Sequence, residues 1–279
     1  MTNFLCVTCG TQFTETERPP ARCPICDEER QYIGPTGQRW TTVSGLASDH
    51  DNAFRTLEPG LVGIGTVPSF AIGQRALLIR TPNGNVLWDC ISLLDETTVD
   101  LINGLGGIRA IAISHPHYYS SMVEWARAFG APVHLHAADR QWVMRPDGAL
   151  AFWDGETLDL GDGLTLIRTG GHFDGGTVLH WPGGAGGRGA LLSGDLLQVV
   201  PDRRWVSFMY SYPNLIPLPA TAVRDIADAV APFAFERIYG AWWRRVVQED
   251  GKGCVDRSVS RYLAAIGADQ AAPAAPPRA

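Results

Sequence analysis

Apolar residues in this chain come mostly in short runs bounded by glycine, proline and asparagine, which predicts strands joined by tight turns. Ala76-Leu77-Leu78-Ile79-Arg80 and Val86-Leu87-Trp88-Asp89 flank Pro82-Asn83-Gly84-Asn85, a hairpin signal at the start of a sheet. Next come a helix from Asp95 to Asn103, a strand at Ile108 to Ile113, a helix from Met122 to Phe129 and a strand at Pro132 to Leu135. Glu156 to Leu160, Leu164 to Thr169, Thr177 to Trp181 and Ala190 to Gly194 read as strands with glycine-rich turns between them, and Thr221 to Ala231 as a helix. Strands alternating with helices give the α/β class.

The polar stretch from about Asp27 to Leu57, punctuated by Gly34-Pro35, Gly37 and Gly45, reads as a connector. The expected organisation is a module at 1–40, a connector at 41–58, a main domain at 59–267 and a disordered Ala/Pro-rich tail at 268–279. At 279 residues and 45% hydrophobic content the chain can bury one large core or two modest ones. Its net charge of -6 and lack of a basic stripe argue against a nucleic-acid partner; Arg244-Arg245 simply follows two tryptophans. Met1 to Leu5 lacks a charged leader, and no window approaches a membrane span. A cytoplasmic protein acting on a small molecule, without membrane contact, is expected, and a homo-oligomer is left open.

Four of the six cysteines form two pairs, Cys6-Val-Thr-Cys9 and Cys23-Pro-Ile-Cys26, in a chain with no secretory signal. That pattern reads as metal rather than disulfide. Each pair can form a knuckle presenting two thiolates, and Gly10 supplies backbone freedom for the turn. The segment resembles a short zinc ribbon; rubredoxin-like iron binding uses similar knuckles. A closed four-thiolate shell leaves no open position, so the site is expected to be structural. Cys90 and Cys254 are left as free thiols.

The strongest chemical signal is Ser114-His115-Pro116-His117-Tyr118-Tyr119-Ser120, at the mouth of the Ile108 strand. With one residue between them, the imidazoles of His115 and His117 can reach a shared cation at about 2.0–2.1 Å. His172 lies between glycines in Gly170-Gly171-His172-Phe173-Asp174-Gly175-Gly176, which lets the backbone approach a crowded centre. Asp195 ends an apolar run, where a buried carboxylate needs a cation or several donors. Asp89 ends another strand and fits a supporting role behind a histidine. His134 and His136 share one face of a strand and read as structural or rim residues, and His50 and His180 have no motif context.

The ordered set Leu87-Trp88-Asp89, Ser114-His115-Pro116-His117, Gly170-Gly171-His172 and Ser193-Gly194-Asp195 resembles the metallo-β-lactamase fold superfamily over roughly Pro59 to Gly267. The resemblance implies an αββα sandwich behind a small zinc ribbon, with a metal in a cleft between the sheets held by His115, His117 and His172. Asp195 matches the carboxylate that elsewhere bridges two metals, and Asp89 the family's strand-end aspartate. Where the family continues His-x-His-x-Asp-His, this chain has Tyr119 and Ser120, and Ala241 stands at the expected place of a late histidine. The ligands exclusive to a second metal are absent, and a mononuclear centre follows.

One zinc with an open position can lower the pKa of bound water to about 7, so hydrolysis of an ester, lactone, thioester or amide is the leading expectation. Asp195 is expected to bind the metal or accept a proton, and Tyr119 to donate to an oxyanion. Tyr118, Phe173, Asp174, Tyr212, Asn214 and Trp242 are candidate substrate contacts, and the aromatic groups among them suit an apolar or aromatic substrate. The ligand set also suits iron, which makes a mononuclear iron oxygenase one alternative and a metal-stabilised scaffold another.

Overall fold

The computed structural model describes residues 1–268, so the expected tail lies, from residue 269 onward, outside the described residues. Two sheets form the body. The first has seven strands in the order Asp51–Glu58, Leu61–Val67, Ala76–Ile79, Val86–Trp88, Ala110–Ala112, Val133–His136 and Leu150–Trp153. Its first four strands pair antiparallel; from Val86–Trp88 onward the pairing is parallel. The second has six, in the order Thr157–Gly161, Leu164–Arg168, Thr177–Trp181, Ala190–Gly194, Arg237–Gly240 and Val246–Val247. There only Ala190–Gly194 and Arg237–Gly240 run parallel.

Continuous apolar runs form these strands because both faces are covered. Successive side chains of a strand point to opposite faces, and here each face meets its own core. Leu77, Ile79, Val86, Trp88, Ala110 and Ala112 join Leu164, Leu166, Leu179 and Leu192 in the layer between the sheets. Their sequence neighbours Ala76, Leu78, Leu87 and Ile111 turn outward to the layer shared with Ile102, Val123 and Trp125 of the helices Glu96–Gly104 and Met122–Phe129. On the far side Ile167, Val178 and Leu191 pack against the helices Ala220–Val230 and Gly251–Ala265. The layers are αββα, as the resemblance implied.

The stretch expected to be a connector differs from that reading. Asp51–Glu58 is an eight-residue strand paired along its length with Leu61–Val67, at the edge of the seven-stranded sheet. Its half-exposed, polar side chains hide it from a search for apolar runs. Strand Leu150–Trp153 and the last helix, Gly251–Ala265, also went unanticipated, the latter because glycines and polar residues dilute its apolar stripe. The amino-terminal module pairs Leu5–Cys6 with Trp40–Thr41 and packs its buried cysteines against Ile72, Trp142 and Met144.

Trp125 anchors the helix that follows the histidine pair: it is fully buried, and its indole N–H donates to the Ile91 carbonyl at 2.9 Å. Trp125→Ala is expected to lower unfolding free energy by about 3–5 kcal/mol, read from the urea midpoint; an unchanged midpoint would contradict this packing.

Candidate metal centre

Among the described residues two groups of side chains bring their donor atoms within 4.8 Å of one another: Cys6, Cys9, Cys23 and Cys26, and His115, His117 and His172. In the first, Cys6 Sγ lies 3.5 Å from Cys26 Sγ and Cys9 Sγ 3.7 Å from Cys23 Sγ. Disulfide sulfurs sit about 2.05 Å apart, whereas a tetrahedron with metal–sulfur bonds of about 2.3 Å has edges of about 3.8 Å. The four thiols fit a cation. Gly10, at φ +81°, closes the first knuckle by donating its N–H to the Cys6 carbonyl. Hydrogen bonding with Cys23 and Cys26 pulls the Cys6 thiol down and pushes Cys9 up.

The histidines come from loops after strand ends. Asp89, at φ +59°, accepts the Ser114 N–H at 2.8 Å and so pins the start of the histidine turn, with the Ser114 hydroxyl 2.9 Å from His115 Nδ1. His117 lies in the short 3₁₀ turn Pro116–Tyr118. His172 Nδ1 donates to the Tyr210 carbonyl at 2.7 Å; because a carbonyl only accepts, Nε2 keeps its lone pair. That Nε2 is 3.2 Å from His117 Nδ1, and His115 Nε2 is 3.3 Å from Asp195 Oδ1. Both separations match the edge of about 3.3 Å of a tetrahedron with metal–nitrogen bonds of 2.0–2.1 Å. His115 Nε2, His117 Nε2 and Asp195 Oδ1 are buried without a hydrogen-bond partner. Each such atom costs about 1–3 kcal/mol; a cation beside His115 Nε2 and Asp195 Oδ1 offsets two of these costs, whereas His117 faces His172 through Nδ1 and turns Nε2 away. The three imidazoles therefore fit a single metal ion, and the Asp195 carboxylate borders them through its 3.3 Å contact with His115 Nε2.

Burial sets the protonation of the group. It drives His115 and His117 well below the ordinary imidazole value and His172 to about 4, so all three are neutral ligands at pH 7. The same desolvation raises Asp195 and Asp89 to about 7.

The remaining candidates separate into those that reach the histidines and those that do not. Tyr118 packs on His115, ring centroids 4.4 Å apart, and its buried hydroxyl stands beside the Asp195 carboxylate. Tyr119 instead joins the hydrophobic core with no aromatic contact to a histidine among the described residues, contrary to its expected place in the cleft. A 3₁₀ turn rotates adjacent residues apart by about 120°, so only one of two neighbours can face the centre. Tyr119 and Ala241 lie in that same apolar cluster, and Ser120 is bonded to Gln74 and the Cys90 carbonyl. The positions that would hold a second metal are thus filled by packing and structural hydrogen bonds.

Phe173 packs against all three histidines at 4.9–5.4 Å. Tyr212 is 5.6 Å from His172 and donates its hydroxyl to the Asp195 carbonyl. Asp174 lines a separate surface cleft with Arg168, Asp225 and Phe233. The Trp242 indole N–H is bonded to the Ile72 carbonyl, and Asn214 donates to the Glu29 and Gln31 carbonyls of the cysteine module. His136 bonds the Gly155 carbonyl, a structural role. Sequence reasoning missed Arg30, whose guanidinium stacks 3.9 Å from the Phe173 ring and donates to the His172 carbonyl. His115, His117, His172 and Asp195 are each no more than 4% exposed, so the centre lies beneath the surface in this conformation.

Comparison with known proteins places this geometry. No family model matches. The chain is 52% identical over 271 residues to the uncharacterized protein YmaE of Bacillus subtilis (strain 168), covering 96% of this chain and 98% of that one. Among solved structures it matches VMB-1 with a TM-score of 0.58 at 12% identity, over 77% of this chain and 98% of the other. It matches the DIM-1 metallo-β-lactamase at 0.57 and 13%, again over 77% and 98%. For the metallo-β-lactamase FIM-1 from Pseudomonas aeruginosa, in its mono-zinc form, the TM-score is 0.55 at 16% identity, over 77% and 96%. The chain has the metallo-β-lactamase fold and belongs to one family with YmaE. Within this fold the histidine group lies at the carboxyl ends of strands from both sheets, and the cysteine module is docked beside it.

The titration of Asp195 gives this centre a pH signature. Below about 7 the metal-free carboxyl is protonated, and a metal must displace that proton, while the histidines stay neutral until near pH 4. Zinc affinity at the histidine site is expected to fall about tenfold per unit as pH drops from 7 to 5 and to level off above 7. Chelator competition across that range checks this; Asp195→Asn should flatten the slope, and a slope retained in that variant would count against Asp195 as a ligand.

Proposed function

We propose that this protein is a metal-dependent hydrolase with a mononuclear centre, most simply zinc, acting on a small molecule with an ester, lactone, thioester or amide-type bond. The observation that carries the reading is the convergence of the buried donors of His115, His117 and His172 within 4.8 Å of one another, with the Asp195 carboxylate 3.3 Å from His115 Nε2. A cation bound there supplies an activated water and polarises a carbonyl. The protein's own groups divide the remaining work. Asp195 would complete the cation's shell through Oδ1, which stands 3.3 Å from His115 Nε2. Tyr118, whose buried hydroxyl stands beside the Asp195 carboxylate with its ring against His115, is the donor for a developing oxyanion in place of Tyr119. Phe173 and Tyr212 supply an apolar, aromatic wall, which suits an apolar acyl or leaving group. Because the centre lies beneath the surface, a substrate enters only when this wall or the segment over it moves.

The buried thiols, none in a disulfide, suit a reducing compartment, and we place the protein in the cytoplasm. No helix among the described residues is long and apolar enough to cross a membrane.

Metal analysis and turnover test the reading together. The isolated protein should carry about two metal equivalents per chain, one in a Cys6→Ser, Cys9→Ser variant, and hydrolyse at least one member of an ester, lactone and thioester panel. His117→Ala should abolish that turnover with the cysteine metal retained. Three equivalents, or turnover strictly dependent on iron and oxygen, would reject mononuclear hydrolysis.

A further inference from the structure

The segment Glu28–Gln31 begins two residues after Cys26, within the cysteine module, and reaches the histidine centre, although nothing in its composition marks it as part of a site. Glu28 Oε2 accepts both the backbone N–H and the Nε–H of Arg30, each at 2.8 Å. Arg30 Nη1 donates to the His172 carbonyl at 3.0 Å, and His172 Nδ1 donates to the Tyr210 carbonyl at 2.7 Å. The Tyr210 hydroxyl then donates to Glu28 Oε1 at 3.1 Å. These bonds close a ring from the cysteine module, through the backbone and imidazole of His172, and back to the module. Asn214 doubles the attachment by bonding the Glu29 and Gln31 carbonyls.

His172 needs such a restraint. The two residues before it are glycines at φ +63° and +83°, and the turn's own backbone bonds join Thr169 and Gly170 to Gly176 and Gly176 to Phe173, without engaging His172 itself. Residues behind a metal-binding histidine set its tautomer and orientation, and losing them typically weakens metal affinity 10- to 100-fold. In this ring the Tyr210 carbonyl fixes the tautomer, and Glu28 and Arg30 fix where that carbonyl and the His172 backbone stand.

We infer that Glu28 and Arg30 are positioning residues for His172, so that the cysteine module, held in shape by its own cation, sets the metal affinity of the histidine centre. The inference rests on reading His115, His117 and His172 as a metal site. It makes the module a working part of the cleft, with the state of four thiols read out about one ring of hydrogen bonds away. Removal or oxidation of the thiolate site would then weaken the hold on the cleft metal without abolishing it.

Zinc affinity of the histidine centre, measured on the full chain by competition with a chromophoric chelator, tests this without reference to turnover. Arg30→Ala and Tyr210→Phe should each weaken it about tenfold or more, with one equivalent retained at the cysteines. Because both break one ring, the double variant should be no weaker than the worse single one. Cys6→Ser with Cys9→Ser should show the same loss; if that variant fails to fold, the two ring variants decide. A merely structural Arg30 would lower the melting temperature and leave affinity within twofold of wild type, and that result, or additive losses in the double variant, overturns the inference. A wild-type chain that takes up zinc only at its cysteines overturns it along with the metal-centre reading, whereas wild-type binding with unaffected ring variants overturns the inference alone.

Discussion

Desolvation of four ligand groups at one point is the constraint on which the architecture turns. Three neutral imidazoles and a carboxylate are held out of water, and among them His115 Nε2 and Asp195 Oδ1 have no hydrogen-bond partner. Such a cluster opposes folding unless a cation occupies it, since a buried polar atom without a partner loses its hydration and gains nothing. The surrounding apolar layers strengthen the attraction of the donors for a cation and depress imidazole protonation, leaving ligands ready at neutral pH.

The two sheets supply the precision. His115 follows Ala110–Ala112, Asp195 follows Ala190–Gly194 and His172 follows Leu164–Arg168, so each ligand is placed by a strand buried on both faces. Asp89 and Ser114 hold the His115 turn from behind, and the Thr177 N–H donates to the Ser114 carbonyl, joining the second sheet to that turn. Gly194 carries a backbone requirement beside Asp195: at φ +55°, a Cβ there would lie 2.9 Å from the Ser114 hydroxyl. The chain has thus traded side-chain volume for close approach of the two ligand-bearing loops.

Much of this was legible in the sequence because burial leaves a compositional mark. Strands covered on both faces appear as apolar runs, and ligands at their ends appear as polar residues where the run stops, as with Asp89, His115 and Asp195. The edge strand Asp51–Glu58 left no such mark because solvent covers much of it. The choice between Tyr118 and Tyr119 depended on the phase of a single 3₁₀ turn, which composition does not encode. Arg30 was hidden for another reason: it meets His172 across 142 residues, and no spacing rule links a guanidinium to a carbonyl that far along the chain. Function, in this fold, rests on such contacts as much as on the motif that reveals the fold.

The central claim is that one metal ion sits among His115, His117, His172 and Asp195, separate from the ion at the four cysteines. Anomalous diffraction from a crystal of the metal-loaded protein, recorded at the metal's absorption edge, tests it most directly. The account predicts two peaks per chain, one inside the cysteine cluster and one about 2.0–2.1 Å from nitrogens of all three histidines. A pair of peaks in the cleft, or none there beside full occupancy at the cysteines, would contradict it.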